Sequence, residues 1–593
     1  MFNKKVILAA SLVAIFLSSS AQAVIGPIKI SLNNEYRTGS PVIGSVATSI
    51  KLDKSDIKKT GATTFVNLLE KIPSITFEGG PGNLAAVRIR GSESKHTLLL
   101  IDGQKVTITG GQPNFKMIPL NQINRIEILK GPFSSLYGPG AIGGVINVFT
   151  DKNANSITSS SIDSSYGSNG TKQSSFNTYY KNDSSYLDFT FTDFITDGID
   201  ATLKTTGGDD DFDPSDRQTF GLNIGGDISE STSVSLNMID SKANIMYDET
   251  YGNENYQNDL RQIGLGVNQK FSDRLLTRID INDQNIMRHG SKYELNTLSI
   301  INELDFDFSK LSVGIMNSND KDVDNKKSIK HKDIFTQWQG LIIDNELSIG
   351  ARIVDHNDFG THTTYNFNWA RDVSINSRLS ASYGSATNIP NHYQNKTNVN
   401  KSKTLSIPTL NPERSKSIEM GIQNESNFGL VELKFYQTKI KDAFSYIDPE
   451  SNYDGYYIND GTTNITGTEL SLETDLLGWD LDTSIDYNKA IDKATNKQKG
   501  RRPNRSISLS LSKSSGKWKR NINWTAKSRA WDKDSETTKL GGYGLLNLST
   551  SYDFTEDLTV YLNRNNALDK DYEMARGYNT HGKTTTLGLT YNF

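Results

Sequence analysis

Asp200, Asp209, Asp210, Asp211, Asp213 and Asp216 crowd one short stretch of the chain, and Asp240 and Asp248 follow. Hard cations such as calcium take about six to eight oxygens from carboxylates, carbonyls and water, so a cluster this dense could hold one. A solvated acidic loop uses the same residues, and spacing alone does not separate the two. The seven histidines are scattered. His356 and His362 are not at a helical metal spacing, and His392 stands in a long polar stretch where a haem ligand could sit. A structural role is the plainer reading for all of them. The glycine-rich run from Gly138 to Gly144 leads into a strand pattern, not a helix, so it does not read as a nucleotide loop. The chain has no cysteine, which excludes disulfides, thiolate metal sites and a cysteine nucleophile. No nucleophile elbow or paired general acid and base stands out. The residues speak for binding and against an enzyme.

β structure must position these loops. Ile507, Leu509 and Leu511 alternate with serines; Leu558, Val560 and Leu562 alternate with Thr559, Tyr561 and Asn563. The final residues place Leu587, Leu589, Tyr591 and Phe593 on one face. Alternation of this kind suits a half-buried strand in a soluble sandwich or a membrane barrel. Here it persists from about Ser156 to Phe593, with short polar turns (after Phe271 and Phe554) alternating with long polar excursions (Gly207 to Arg217, Asn391 to Pro412). Short turns on one rim and long loops on the other are expected of an outer-membrane barrel. About 440 residues at ~20 per strand and connection predicts roughly 22 antiparallel strands, a size that holds a plug. The mean hydropathy of -0.52 does not oppose this, because lipid-facing and lumen-facing residues average out. A net charge of -4 argues against a nucleic-acid partner.

Three segments precede the barrel. Residues 1–23 read as a signal peptide, with Lys4 and Lys5, an apolar core from Val6 to Leu17 and Ala21-Gln22-Ala23 as the cleavage site; a membrane anchor is the alternative, for which that core is short. Residues 24–41 are a polar linker in which Ile28, Ile30 and Leu32 alternate with Lys29 and Ser31, a strand pattern without a neighbouring partner. Residues 42–151 read as a compact α/β domain. Thr64 to Ile72 predicts a helix ended by Pro73; Val87–Arg90, Thr97–Ile101, Arg125–Leu129 and Val145–Phe149 predict strands, punctuated by Gly91, Asp102-Gly103 and Gly131-Pro132. Residues 152–593 form the barrel. A compact domain ahead of a long barrel suggests a plugged pore, an α/β plug within the lumen.

The segments VRIRG (Val87–Gly91), LLIDG (Leu99–Gly103), INRIEILKGP (Ile123–Pro132) and YGPGAIGGVINV (Tyr137–Val148) resemble the plug of the TonB-dependent outer-membrane receptors. Lys130 stands where the family has an arginine, which keeps the charge and loses the bidentate fork. Within that family, the C-terminal run from Ala567, FGTHTTYNFNW from Phe359 and LNPERSKSIEMG from Leu410 resemble the cobalamin (vitamin B12) receptors. The resemblance implies active import of cobalamin by an outer-membrane protein surrounded by lipid and acting as a monomer; a ferric siderophore or haem is the alternative cargo, and a passive porin or an adhesin the alternative class. It implies a Ton box at Pro27, Ile28, Lys29, Ile30, Ser31 and Leu32, pairing as an added strand with the energy-transducing protein TonB. It assigns calcium to Asp200, Asp211, Asp213, Asp240 and Asp248. It places substrate at the plug apices, 80–84 and 109–115, with Asn83, Leu84, Gln112 and Asn114 as contacts. Arg88, Arg90, Glu127 and Lys130 are expected to dock the plug to the barrel, because a charge desolvated alone is costly.

Overall fold

The computed structural model describes residues 49–78, 85–150, 158–203, 211–249, 252–401, 407, 409–447 and 455–593. The expected signal peptide, the Ton box, Asn83 and Leu84 lie outside the described residues.

Twenty-two antiparallel strands close into a barrel, the last (Thr584–Asn592) pairing with the first (Thr158–Gly167). Closure leaves no unpaired sheet edge, so the backbone is hydrogen-bonded within the wall without help from water. The two-residue alternation sorts side chains between lipid and lumen. On the strand Lys327–Ile342, Ile334 is 62% exposed while Asp333 and Phe335 beside it are buried. The lumen face is polar and covered: Asn223, Ser241, Gln262, Gln284, Ser299 and Asp320 are all buried.

A plug domain covers them. Its sheet runs in the order Ser49–Asp53, Arg125–Lys130, Gly144–Phe149, Thr97–Ile101, Gln104–Lys105. Only the pairing of Thr97–Ile101 with Gly144–Phe149 is parallel. A two-stranded sheet (Ile75–Glu78, Ala86–Ile89) and two short helices, Lys54–Lys59 and Phe65–Glu70, complete it. The second helix starts where the Thr64 hydroxyl accepts the Asn67 N–H at 3.1 Å, an N-cap that satisfies one orphan donor. Phe65, Leu68 and Leu69 turn its apolar face onto Ile75, Ile89, Phe115 and Ile126. Gly144 has φ +154°, and a Cβ there would lie 2.2 Å from the Leu129 carbonyl oxygen, so only glycine lets these two strands meet.

Two elements depart from the sequence expectation. Ser134–Tyr137 forms one helical turn just before the glycine-rich run, which ends it at Gly138. His392–Lys401, expected as part of a long polar loop, is a ten-residue helix.

Candidate functional site

Arg90 projects from the end of the plug strand Ala86–Ile89 with φ 53°, in the left-handed region. Its Nε and Nη2 donate to the two Glu469 carboxylate oxygens, each at 2.9 Å, and Nη1 donates to Glu419 at 2.5 Å. The guanidinium also lies 4.1 Å from the centre of the Tyr436 ring. Burial alone would lower the guanidinium's proton affinity, but the Glu419 and Glu469 carboxylates hold it charged. Lys130 donates to Glu469 at 3.2 Å. Both glutamates belong to the barrel, so these two plug cations are neutralised by the wall. The planar fork of Arg90 allows the bidentate contact that Lys130 does not make.

The other two expected docking residues differ. Arg88 Nη1 donates to the Arg501 carbonyl of a barrel loop at 3.3 Å, and its Nη2 lies 3.9 Å from Glu93 of the plug itself. Glu127 lies 3.3 Å from Arg125, two residues along its own plug strand. Glu93 instead accepts a barrel cation, Arg502, at 2.6 Å. Burial favours the neutral form of Glu93, but Arg502 and Arg88 hold its carboxyl well below the usual carboxylate range.

Sequence reasoning missed the barrel half of this interface. Glu413 receives Lys95 at 3.0 Å and His96 at 2.9 Å from the plug. Arg352, fully buried, donates to the Ser135 and Leu136 carbonyls at 3.2 and 2.6 Å while paired with Asp333 at 2.5 Å. It thereby caps the carbonyl end of the plug's 134–137 turn, where a cation is favoured.

The plug apex at 109–115 lies against the loops. The Thr109 N–H donates to Asp320 at 2.5 Å, and Asp320 also contacts the His392 ring at 3.2 Å. His392 is therefore buried and engaged by a carboxylate, which removes the sequence reason for regarding it as a haem ligand. Asn391 Nδ2 donates to the Gly110 carbonyl at 3.2 Å. Gln112 and Asn114 line a small solvent-open cleft together with Ile108, Met117, Leu260 and Arg288. Arg288 donates to the Gln112 carbonyl at 3.1 Å, and Asn114 Oδ1 accepts the Lys116 N–H at 3.2 Å.

Gly110 has φ +65°, and a Cβ there would lie 2.2 Å from the Ile389 carbonyl oxygen. Gly110→Ala is expected to cost about 1–2 kcal/mol in backbone strain and to lift residues 389–391 off the apex. Faster proteolysis in the 389–401 segment, measured on the folded protein, checks it; an unchanged cleavage rate would show that the contact is not holding that segment.

The acidic residues do not form one group. Asp213 Oδ2 accepts the Ala201 N–H at 2.8 Å and Asp200 Oδ1 accepts the Thr202 N–H at 3.0 Å, which ties both into the 199–213 loop beside Asp211. Asp240 is elsewhere. It lies within the strand Thr232–Glu249, opposite Phe220 and Arg261, on the outer face, because Ile239 and Ser241 on either side of it are buried inward. The loop assignment of Asp240 is thus corrected by strand parity. Asp209, Asp210 and the Asp248 side chain lie outside the described residues. Among the described residues no three acidic or histidine side chains converge to hold a metal.

Known proteins match both parts of the chain. A model of the TonB-dependent receptor plug domain matches residues 42–145, and one of the TonB-dependent receptor-like β-barrel matches residues 155–567. The vitamin B12 transporter BtuB of Vibrio vulnificus is 26% identical over 95% of both chains, and that of Photobacterium profundum 24% over the full length of both. Among solved structures, the siderophore receptor PirA of Acinetobacter baumannii superposes with a TM-score of 0.78 at 16% identity, covering 95% of this chain and all of that one, a likeness of fold. A stopper neutralised by the wall around it, inside a closed barrel that the second family model spans over most of its length, makes this chain a member of the TonB-dependent receptors of the bacterial outer membrane.

Proposed function

We propose that the cargo is cobalamin, imported with energy delivered through Pro27–Leu32. The observation that carries this reading is the end-to-end similarity to vitamin B12 transporters, which spans plug, barrel and loops together. The apex supports it chemically. Corrin side chains end in amides, and Gln112 and Asn114 are amides at the edge of a partly apolar cleft. With Asn114 Oδ1 occupied by Lys116, a ligand carbonyl would meet the Asn114 amide nitrogen. The cleft is small for a whole corrinoid, so the ligand rests on the apex and fills the space between the loops.

Below, the Ton box pairs with TonB as an added strand, held mainly by backbone hydrogen bonds, and a pull there loads the plug. The plug meets its wall largely through ion pairs and hydrogen bonds. Water can replace such contacts as the interface opens, because hydrated charges lose little when separated.

Two measurements test the proposal. Purified protein is expected to bind cyanocobalamin and to ignore haem and a ferric siderophore. Deleting Pro27–Leu32 is expected to abolish uptake while leaving that binding intact. Binding of haem or an iron chelate without cobalamin overturns the choice of cargo, and uptake that survives the deletion overturns the role of the segment.

A further inference from the structure

On the strands Glu413–Ser426 and Gly429–Ile447, Arg414 lies directly across from Lys441, and Lys416 directly across from Lys439. All four are exposed. They share the outer face with the lipid-facing Ile418 and Met420, which are 44% and 58% exposed. They stand at the long-loop end of these strands, just above the apolar band. Lys489 and Arg505, also exposed, extend the same edge beside Tyr487 on the strands Trp479–Asp492 and Arg505–Ser515. The Tyr365 and Tyr383 side chains lie beside Lys416.

Like charges directly opposite one another on a sheet are destabilising. Elsewhere on this rim the barrel avoids that arrangement. Asp240 faces Arg261 and Lys242 faces Asp259; Lys332 faces Asp355; Lys321 meets Glu294 at 2.9 Å. Along the cationic edge the described acids are Asp442, 4.0 Å from Arg414, and Asp460, which accepts the Ser445 hydroxyl at 2.5 Å. Among the described residues, two acids against six cations leave a net positive edge at the depth where acyl chains give way to headgroups.

We propose that this edge, formed by Arg414, Lys416, Lys439, Lys441, Lys489 and Arg505, binds the phosphates of a phosphorylated glycolipid of the outer leaflet. The height of the charges selects this occupant. Its acyl chains would lie along Ile418, Met420 and Phe435, and its phosphates would reach the two cross-strand cation pairs. A soluble anion could use the charges but would gain nothing from the apolar band below them.

The test places the protein in phosphatidylcholine nanodiscs doped with bisphosphorylated lipid A, or with its dephosphorylated form, and counts retained glycolipid by native mass spectrometry. The wild type is expected to retain the phosphorylated form selectively. Lys416→Gln with Lys439→Gln should weaken retention about fivefold for each charge removed, as expected for basic residues near a charged lipid surface. Lys242→Gln, in the balanced sector, should leave retention unchanged. Heat-modifiable gel migration reports whether each barrel is folded; if the double variant does not fold, Lys489→Gln with Arg505→Gln on the neighbouring strands replaces it. Equal retention of the dephosphorylated lipid, retention unaffected by the substitutions, or full displacement by inorganic phosphate would each overturn the proposal.

Discussion

Arg90→Ala is expected to loosen the plug and make the closed barrel leak. The substitution takes the Nη1 contact from Glu419 and the bidentate contact from Glu469, which keeps its hydrogen bond to Lys130, with both carboxylates still out of water. Removing one partner of a buried ion pair costs about 3–5 kcal/mol, because the remaining charge stays desolvated. Here the penalty falls on the seam between plug and wall, so the plug should be displaced more often while the barrel remains folded. Conductance in planar bilayers and uptake of a large hydrophilic antibiotic should both rise. Adding Glu419→Gln removes one of the two carboxylate charges that Arg90 neutralises and should restore part of the closure, since residues in one network do not act additively. If Arg90→Ala neither conducts nor becomes more sensitive to protease within the plug, the ion-pair seam is not what keeps the plug seated.

A disulfide across that seam is expected to stop transport reversibly. A Cβ built on Gly91 of the plug lies 3.7 Å from the Ala490 Cβ of the wall, within the separation a disulfide needs. The chain contains no other cysteine to compete. Gly91 has φ +73°, so a cysteine there carries backbone strain of about 1–2 kcal/mol. Asn488 Oδ1, 3.0 Å from the built Cβ, must also turn aside. Oxidised Gly91→Cys/Ala490→Cys protein should bind cargo at the apex and import none, and a reductant should restore import. Full uptake with the bridge verified as intact would mean that passage requires no separation of plug and wall at this point.

How much of this could be read in the sequence depends on how local the signal is. The plug strands were legible because Asp102-Gly103 and Gly131-Pro132 mark their ends within a few residues. The barrel was legible because alternation repeats along every strand. The wall carboxylates were not. Glu419 and Glu469 look like ordinary polar members of alternating strands, and their partner Arg90 is more than 300 residues away in the chain. The pairing of Glu127 with Arg125, two residues away on the same strand, was equally invisible, because nothing in the sequence tells an along-strand partner from one across the lumen. Asp240 was placed in a loop because its strand continues to Glu249, beyond the apolar positions that mark the membrane band. The helix His392–Lys401 has almost no apolar face, so helical periodicity gave no sign of it. Its contacts are with other segments instead: Asn398 exchanges two hydrogen bonds of 2.8 Å with the Tyr457 backbone.

The plug's apolar core is shared with the wall unevenly. Ile239, Ala243, Ile245 and Leu260 pack into the main cluster with Ile57, Phe65 and Ile126. Eight to eleven strands further round in the 22-strand ring, the wall meets the plug's Arg90, Lys130, Lys95 and His96 through carboxylates, and the apolar Ile142 packs beside them. Entering water can take over the roles of carboxylates and cations but offers nothing in exchange for aliphatic contact. On the proposed function, a downward tug is expected to free the charged flank first and to leave the greasy flank as a hinge. The stopper would then swing before it slides, and the gap would open beside the strands that carry Glu413, Glu419 and Glu469.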